Sequence, residues 1–294
     1  MPTMRVAVTG STGLIGSALV GQLKEQGHFV QRMVRRRATT SDEIQWDPTA
    51  GTVDMDALNG ADAIIHLAGA GVGSKRWTSK YQATILNSRL LGTTTIANAA
   101  AAVKPKVFIS ASAIGFYGET GNRAVVETDR GGDDFLAAVC REWEGAADLA
   151  GGVRTVKIRT GLILDPTGGA LGRMLPLFKL GLGGKLGSGK QWWSWITLHD
   201  EVKAIIHCLN TDISGPVNLT APNPVTNQEF TGTLARALHR PALFPVPGFV
   251  LKVVLGGFSS EILGSKKVLP KALLDSGFTF DYPHLTNALE ALSE

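Results

Sequence analysis

Three glycines set the first chemistry in this chain. Gly10-Ser11-Thr12-Gly13-Leu14-Ile15-Gly16 follows the apolar run Met4 to Thr9 and leads into Leu14, Ile15, Ala18, Leu19 and Leu23 at helical spacing. A strand, a tight turn and a helix in that order suit a dinucleotide pyrophosphate, because the start of a helix offers free N–H groups and partial positive charge. Gly10 allows the turn, Gly13 leaves the backbone open to the phosphates, and Gly16 lets the helix approach the sheet. Three glycines alone also describe a flexible turn; the strand-to-helix setting favours the nucleotide. The candidate contacts are Gly10, Thr12, Gly13, Leu14, Ile15 and Gly16.

The second apparent strand selects the cofactor. An acidic residue at its end would take the ribose hydroxyls of NAD, whereas a cation suits the additional phosphate of NADP. Here the strand ends Met33-Val34-Arg35-Arg36-Arg37, with no carboxylate before Asp42. A guanidinium is permanently charged and presents a planar fork to phosphate, so Arg35 is the expected 2′-phosphate clamp, beside Val34 and with Arg36 as helper. The alternative is a solvated basic turn. Further along, His66-Leu67-Ala68-Gly69 ends another apolar run in small residues, and Leu67, Ala68 and Gly69 would let the chain pass close to the adenosine half. His66, inside that run, reads as a hydrogen-bonded core side chain.

The elements that must hold these residues alternate. Apolar β-rich runs at Phe29 to Val34, Ala63 to Leu67, Val107 to Ala111 and Val153 to Ile158, with a weaker one at Ile44 to Trp46, are interleaved with helical patterns at Lys80 to Ala102 and Phe135 to Leu149. That order predicts an α/β fold: a Rossmann-type doubly wound parallel sheet of six or seven strands. From about Asp165 glycines crowd the chain and Trp192, Trp193 and Trp195 cluster. Helical patterns return at His199 to Leu209, Asn227 to Leu238, Phe249 to Leu255 and Leu285 to Leu292. The expected division is a nucleotide-binding domain over 1–165, with possible contributions from later chain, and a smaller mixed substrate lobe over 166–294.

Composition narrows the partners. The 294 residues carry 29 Lys and Arg against 25 Asp and Glu, a modest excess that does not call for nucleic acid. The two cysteines, Cys140 and Cys208, lack metal-ligand spacing and cannot build a disulfide framework, so no metal and a reducing, cytoplasmic compartment are expected. No run approaches the ~20 apolar residues of a membrane span. Phe249 to Phe258, interrupted by Lys252 and two glycines, reads as a lid or core helix, and no membrane contact is expected.

Together with Ser110-Ala111-Ser112 and Tyr117-Gly118, these residues resemble the extended short-chain dehydrogenase/reductase superfamily. Trp46-Asp47-Pro48, Arg76-Trp77, Ser88-Arg89, FLAAVCREWE from Phe135, GLGGKLGSGKQWWSWI from Gly181 and Gly277-Phe278 extend the likeness to its atypical epimerase family branch. Members of that branch are often labelled NAD-dependent epimerase/dehydratase or cell-division inhibitor, and have a small C-terminal domain. The resemblance implies NADP(H), held by the glycine turn, Val34-Arg35 and Leu67-Ala68. It also implies that Arg89 reaches the cofactor, where a helix-surface salt bridge is the alternative. Arg159 either approaches the nicotinamide or braces the sheet edge.

The superfamily orients its substrate with a Ser or Thr, moves the proton with a Tyr, and activates that Tyr with a Lys four residues later. A free phenol, with a pKa near ~10, needs the cation to work as a base near neutrality. Ser112 matches the serine. Aligning on Glu144 puts Leu136 at the tyrosine position and Cys140 at the lysine position, so the pair is missing. Of the groups that could replace it, Tyr117 and, from the later loop region, Lys185, Lys190 and His199, Tyr117 is the best proton carrier by position, with a pocket wall or a structural tyrosine as the other reading. Arg76-Trp77 and the tryptophans after Gln191 suit the walls of a cleft. The leading expectation is an NADP(H)-dependent oxidoreductase or epimerase-like protein, monomer or homodimer, acting on a small carbonyl or hydroxyl compound. Its rival is a noncatalytic NADP(H)-responsive regulator.

Overall fold

The structure, a computed structural model, describes residues 2–293. The first half alternates as the apolar runs require: β1 (Arg5–Thr9), α1 (Leu14–Glu25), β2 (Phe29–Val34), β3 (Glu43–Asp47), β4 (Thr52–Val53), α2 (Met55–Leu58), β5 (Ala63–His66), α3 (Ser79–Val103) and β6 (Val107–Ala113). A 3₁₀ turn at Ile114–Tyr117, β7 (Ala124–Val125), α4 (Phe135–Ala147), β8 (Thr155–Thr160) and β9 (Leu162–Asp165) follow. The later chain holds α5 (Gly169–Lys179), β10 (Trp192–Trp193), β11 (Trp195–Thr197), α6 (Leu198–Asn210), β12 (Gly215–Leu219) and β13 (Val225–Thr226). Then come α7 (Asn227–Ala237), α8 (Gly248–Leu255), α9 (Ser259–Leu263), β14 (Lys267–Val268), α10 (Lys271–Asp275) and α11 (Leu285–Ala291).

The central sheet runs β12-β8-β6-β5-β1-β2-β3-β4. Every pairing in it is parallel except that of the two-residue β4 with β3. The seven parallel strands match the expected number, and the short antiparallel edge adds an eighth. Strand order reverses between β1 and β5, and in open sheets of this kind ligands bind outside the carboxyl ends at that reversal.

Both faces of the sheet are covered, which explains the nearly continuous apolar strands. On one face Leu19 and Leu23 of α1 and Val202 and Ile205 of α6 pack on Val6, Val8, Ile65, Ile109 and Ile158. On the other, Ile96, Ala97 and Ala100 of α3 and Ala147 of α4 meet Ala7, Met33, Ile64 and Phe108. Each fully buried aliphatic side chain contributes about 1.5–3 kcal/mol relative to exposure. β12 and α6, both beyond residue 165, are integral to this layer.

A separate core of Leu171, Leu175, Phe178, Trp195, Phe230 and Leu289 holds the smaller lobe. The Phe249 to Phe258 run does form a helix there, but α8 has no buried residue, so it is not a core helix. Among the described residues no helix is long and apolar enough to cross a membrane.

Candidate functional site

At the reversal point the glycine turn lies against the end of β5. Gly10 has φ +67°, and a Cβ there would stand 2.9 Å from the Leu67 carbonyl carbon. At Gly16 a Cβ would fall 2.1 Å from Gly10 O, closer than any side chain permits. The Thr9 hydroxyl pins the two strand ends by accepting the amides of Leu67 at 3.1 Å and Ala68 at 3.3 Å. Its own hydrogen is then directed at His66 Nδ1, 2.8 Å away. Burial pushes the His66 pKa down to about 3, which keeps the imidazole neutral. His66 is therefore the core side chain the sequence suggested.

Helix α1 starts at the N-cap Gly13, with no side-chain cap and no acid in its first turn. Its leading N–H groups are left for an anion. Thr12 and Gly13 are exposed in the turn, and Ile15 packs on the core below. Leu14 holds the loop before α5, since a Cβ at Gly168 would lie 3.0 Å from Leu14 Cδ1.

Val34 ends β2, and the exposed Arg35 beyond it has no hydrogen-bond or ion-pair partner among the described residues. Arg36 differs from the expectation of a phosphate helper. Its guanidinium is bound to Glu43, which also accepts the Thr39 amide at 3.0 Å. These contacts hold the Glu43 carboxyl down to about 2. Arg36 thus folds the turn that presents Arg35.

Beyond the strand ends lies a cleft of about 550 Å³ between the lobes. Its walls are mostly apolar and include Leu136, Val139, Trp143, Trp192, Trp193 and Phe258. Ser112 and Arg89 open onto it. The Arg89 guanidinium donates to Ala70 O at 2.9 Å, lies 4.7 Å over the Trp143 ring, and has no carboxylate partner among the described residues. Burial lowers its pKa, and the small Gly69 beside it leaves its Cζ uncovered, 3.5 Å from where a Cβ would be. That position excludes the surface salt bridge.

Behind the cleft floor the structure gathers Ser112, Tyr117 and Arg159 into one buried network. Ser112 Oγ donates to Glu144 Oε1 at 2.7 Å, and Arg159 reaches the same carboxylate with Nε and Nη2, each at 2.8 Å. Arg159 Nη1 also donates to the Tyr117 hydroxyl at 2.9 Å, while that hydroxyl donates to Asn218 Oδ1 at 2.7 Å. Tyr117 is 2% exposed and does not line the cleft. Burial outweighs the adjacent cation and pushes its pKa up to about 12, which does not fit the expected proton carrier. Arg159, expected among the cofactor contacts, is instead spent on Glu144, and its pKa is raised by that pairing despite burial.

Leu136 and Cys140, at the missing tyrosine and lysine positions, do line the cleft. Leu136 has no titratable group, and burial with the nearby Glu144 pushes the Cys140 thiol up to about 12. A group the sequence reading did not single out lies opposite. Lys266 Nζ sits 3.2 Å from both carboxylate oxygens of Glu261, and both residues line the cleft. Ser194 ties that segment down by donating to Lys266 O at 2.9 Å. The only signal was the Glu261-to-Lys266 spacing, and an isolated pair of charges separated by a turn carries no periodicity.

Residues 6–134 match the NAD dependent epimerase/dehydratase family, and residues 246–292 match a domain of unknown function, DUF1731. An epimerase family protein of Mycobacterium leprae is 42% identical over 288 residues, which span 97% of this chain and 94% of that protein. The chain belongs to the epimerase family. The human epimerase family protein SDR39U1, solved with NADPH, superposes with a TM-score of 0.92 at 35% identity, covering 99% of both chains. A nucleoside-diphosphate sugar epimerase from Corynebacterium glutamicum gives 0.80 at 36% identity, covering 99% of this chain and 59% of that one. In this epimerase family member the first match holds the glycine turn, Arg89 and Ser112, the second carries Glu261 and Lys266, and the segment between them supplies much of the cleft wall, including Leu136, Trp143 and Trp193.

Proposed function

We propose that this epimerase family protein binds NADP(H) across the carboxyl edge of its sheet and works on an apolar carbonyl or hydroxyl compound in the cleft. The observation that carries the reading is the cradle: an uncapped α1 start behind glycines that admit no side chain, with an unpartnered guanidinium at the neighbouring strand end. Gly10, Thr12, Gly13 and the first α1 amides would hold the pyrophosphate, Arg35 the 2′-phosphate, and Leu67 to Gly69 the adenosine side. Arg89 supplies fixed positive charge between that half and the cleft. NADPH in the related human structure supports the same coenzyme here. When bound, the coenzyme supplies or accepts a hydride.

The chain's own part is orientation and proton handling. Glu144 takes the Ser112 hydrogen, so Ser112 offers a lone pair to a substrate or product hydroxyl. With Tyr117 buried and the Cys140 thiol kept protonated, Lys266 Nζ is the proton carrier we assign, steadied by Glu261. The apolar walls favour a substrate with little charge and exclude water from the reacting atoms.

The absence of the tyrosine–lysine pair also supports a second reading, a regulator that binds NADP(H) without turnover. NADPH fluorescence titration and NADPH oxidation over a panel of diketones and quinones separate the two. The enzyme reading expects wild type and Lys266→Met to bind NADPH alike, with oxidation about 100-fold slower in the variant, as for removal of a general acid. Binding without oxidation across the panel would favour the regulator. No NADPH binding by wild type would overturn both.

A further inference from the structure

Eight of the thirteen large hydrophobic side chains exposed among the described residues fall in two short segments, 177–182 and 243–254. Backbone and side-chain bonds stitch these segments together: Phe244 N donates to Gly183 O at 3.1 Å, Val246 N to Lys185 O at 2.9 Å, and Arg240 Nε to Lys179 O at 3.1 Å. The two segments therefore lie side by side and expose these residues on neighbouring surface. Leu180, Leu243 and Phe249 are 73, 74 and 70% exposed on it. Helix α8 is the extreme case, since Gly248–Leu255 is almost wholly apolar yet buries no residue in its own chain. Contiguous apolar surface of this kind marks an interaction site.

The two stretches of chain that carry these residues hold charge of one sign. From Pro166 to Leu198 the chain carries Arg173, Lys179, Lys185 and Lys190 without a single acid. From Phe230 to Ser260 it carries Arg236, Arg240 and Lys252, again with none. The whole chain is only +4, so the rest of it is net negative, and these two stretches stand out because they lack acids. Apolar side chains flanked by Lys and Arg match the boundary of an anionic bilayer, where the acyl region takes the former and lipid phosphates the latter.

We propose that this face docks peripherally on an anionic lipid bilayer. The proposal departs from the expectation, drawn from sequence, of no membrane contact at 249–258. The contact is superficial: α8 has eight residues, about 12 Å of helix, against the ~30 Å of a hydrocarbon core. Arg173, Leu186 and Phe258, beside the face, line the cleft, so the docked bilayer lies along the cleft's edge.

The test is sedimentation of the full chain with vesicles of phosphatidylcholine alone or with about one-third phosphatidylglycerol, at low and high salt, alongside light scattering. The expected result is roughly tenfold or greater enrichment on the anionic vesicles, reduced by salt. Phe249→Asp with Val253→Asp, and separately Lys252→Glu, should each lower it severalfold without changing the melting temperature, because all three side chains are exposed. Absence of anionic-vesicle binding, or binding indifferent to these variants, overturns the proposal. A concentration-dependent dimer broken by Phe249→Asp, with no vesicle binding, overturns it in favour of an interface between copies.

Discussion

Glu144→Gln removes the charge at the centre of the network beneath the cleft while keeping the shape. In the native protein one carboxylate oxygen accepts Ser112 Oγ at 2.7 Å and Arg159 Nε at 2.8 Å, and the other accepts Arg159 Nη2 at 2.8 Å. Glutamine keeps one acceptor and turns the other into an NH₂ that faces Nη2, donor against donor. The Arg159 side chain is only 4% exposed, so its charge is left buried without that counterion. Breaking such a buried pair costs about 3–5 kcal/mol; since one acceptor survives, about 3 kcal/mol applies here. At roughly 2–4 °C per kcal/mol for a large domain, the melting temperature should fall by roughly 6–12 °C.

Thermal unfolding followed by circular dichroism reads this directly. The double variant Glu144→Leu with Arg159→Met should be less destabilised than the two single changes added together, because neither charge is then stranded. NADPH affinity should change little, since the glycine cradle does not contact the network. A melting temperature within ~2 °C of wild type for Glu144→Gln would refute the reasoning, showing that the pair is hydrated rather than buried.

Two further outcomes follow from other sites. Arg35→Ala should weaken NADPH binding roughly tenfold or more and leave NADH binding nearly unchanged, as titrated by fluorescence, because Arg36 is held by Glu43 and cannot replace it. Equal losses for both coenzymes would remove the phosphate clamp. Burial pushes Glu201, which among the described residues accepts only Thr160 Oγ1, at 2.7 Å, from its usual 4.5 up to about 8. Its stabilising contribution is full below the ordinary carboxylate range. It is lost as pH rises toward 8, because the unfolded chain releases the proton first. Glu201→Gln should flatten the decline in denaturant midpoint between about pH 5 and pH 8, and an equally steep decline in the variant would show that Glu201 is not its source.

The sheet was legible because burial on both faces makes its strands short apolar runs, and α3 and α4 were legible from their length and spacing. Strand β12 was missed, since Gly215–Leu219 holds a proline and an asparagine whose burial depends on neighbours far along the chain. The glycine turn was legible because its chemistry is local. By contrast, the Ser112–Glu144 bond joins residues 32 apart, and Glu144 served only as an alignment anchor until the fold brought it beneath Ser112. Tyr117 was misjudged for the same reason: its sequence position near the serine says nothing of Asn218, 101 residues away, whose amide oxygen accepts its hydrogen bond. Lys266 was passed over because only the meeting of two lobes turns it toward the cleft.

The late return of β12 to the sheet bears on how the protein emerges from the ribosome. Until Gly215–Leu219 has been synthesised, β8 has a bare outer edge, and the apolar side chains that α6 later covers face solvent. A nascent chain stopped near residue 165 therefore presents a sticky strand to its neighbours. The sheet's last parallel edge is closed only when the chain returns from the segment between β9 and α6, so the exposed interval spans roughly the synthesis of that segment.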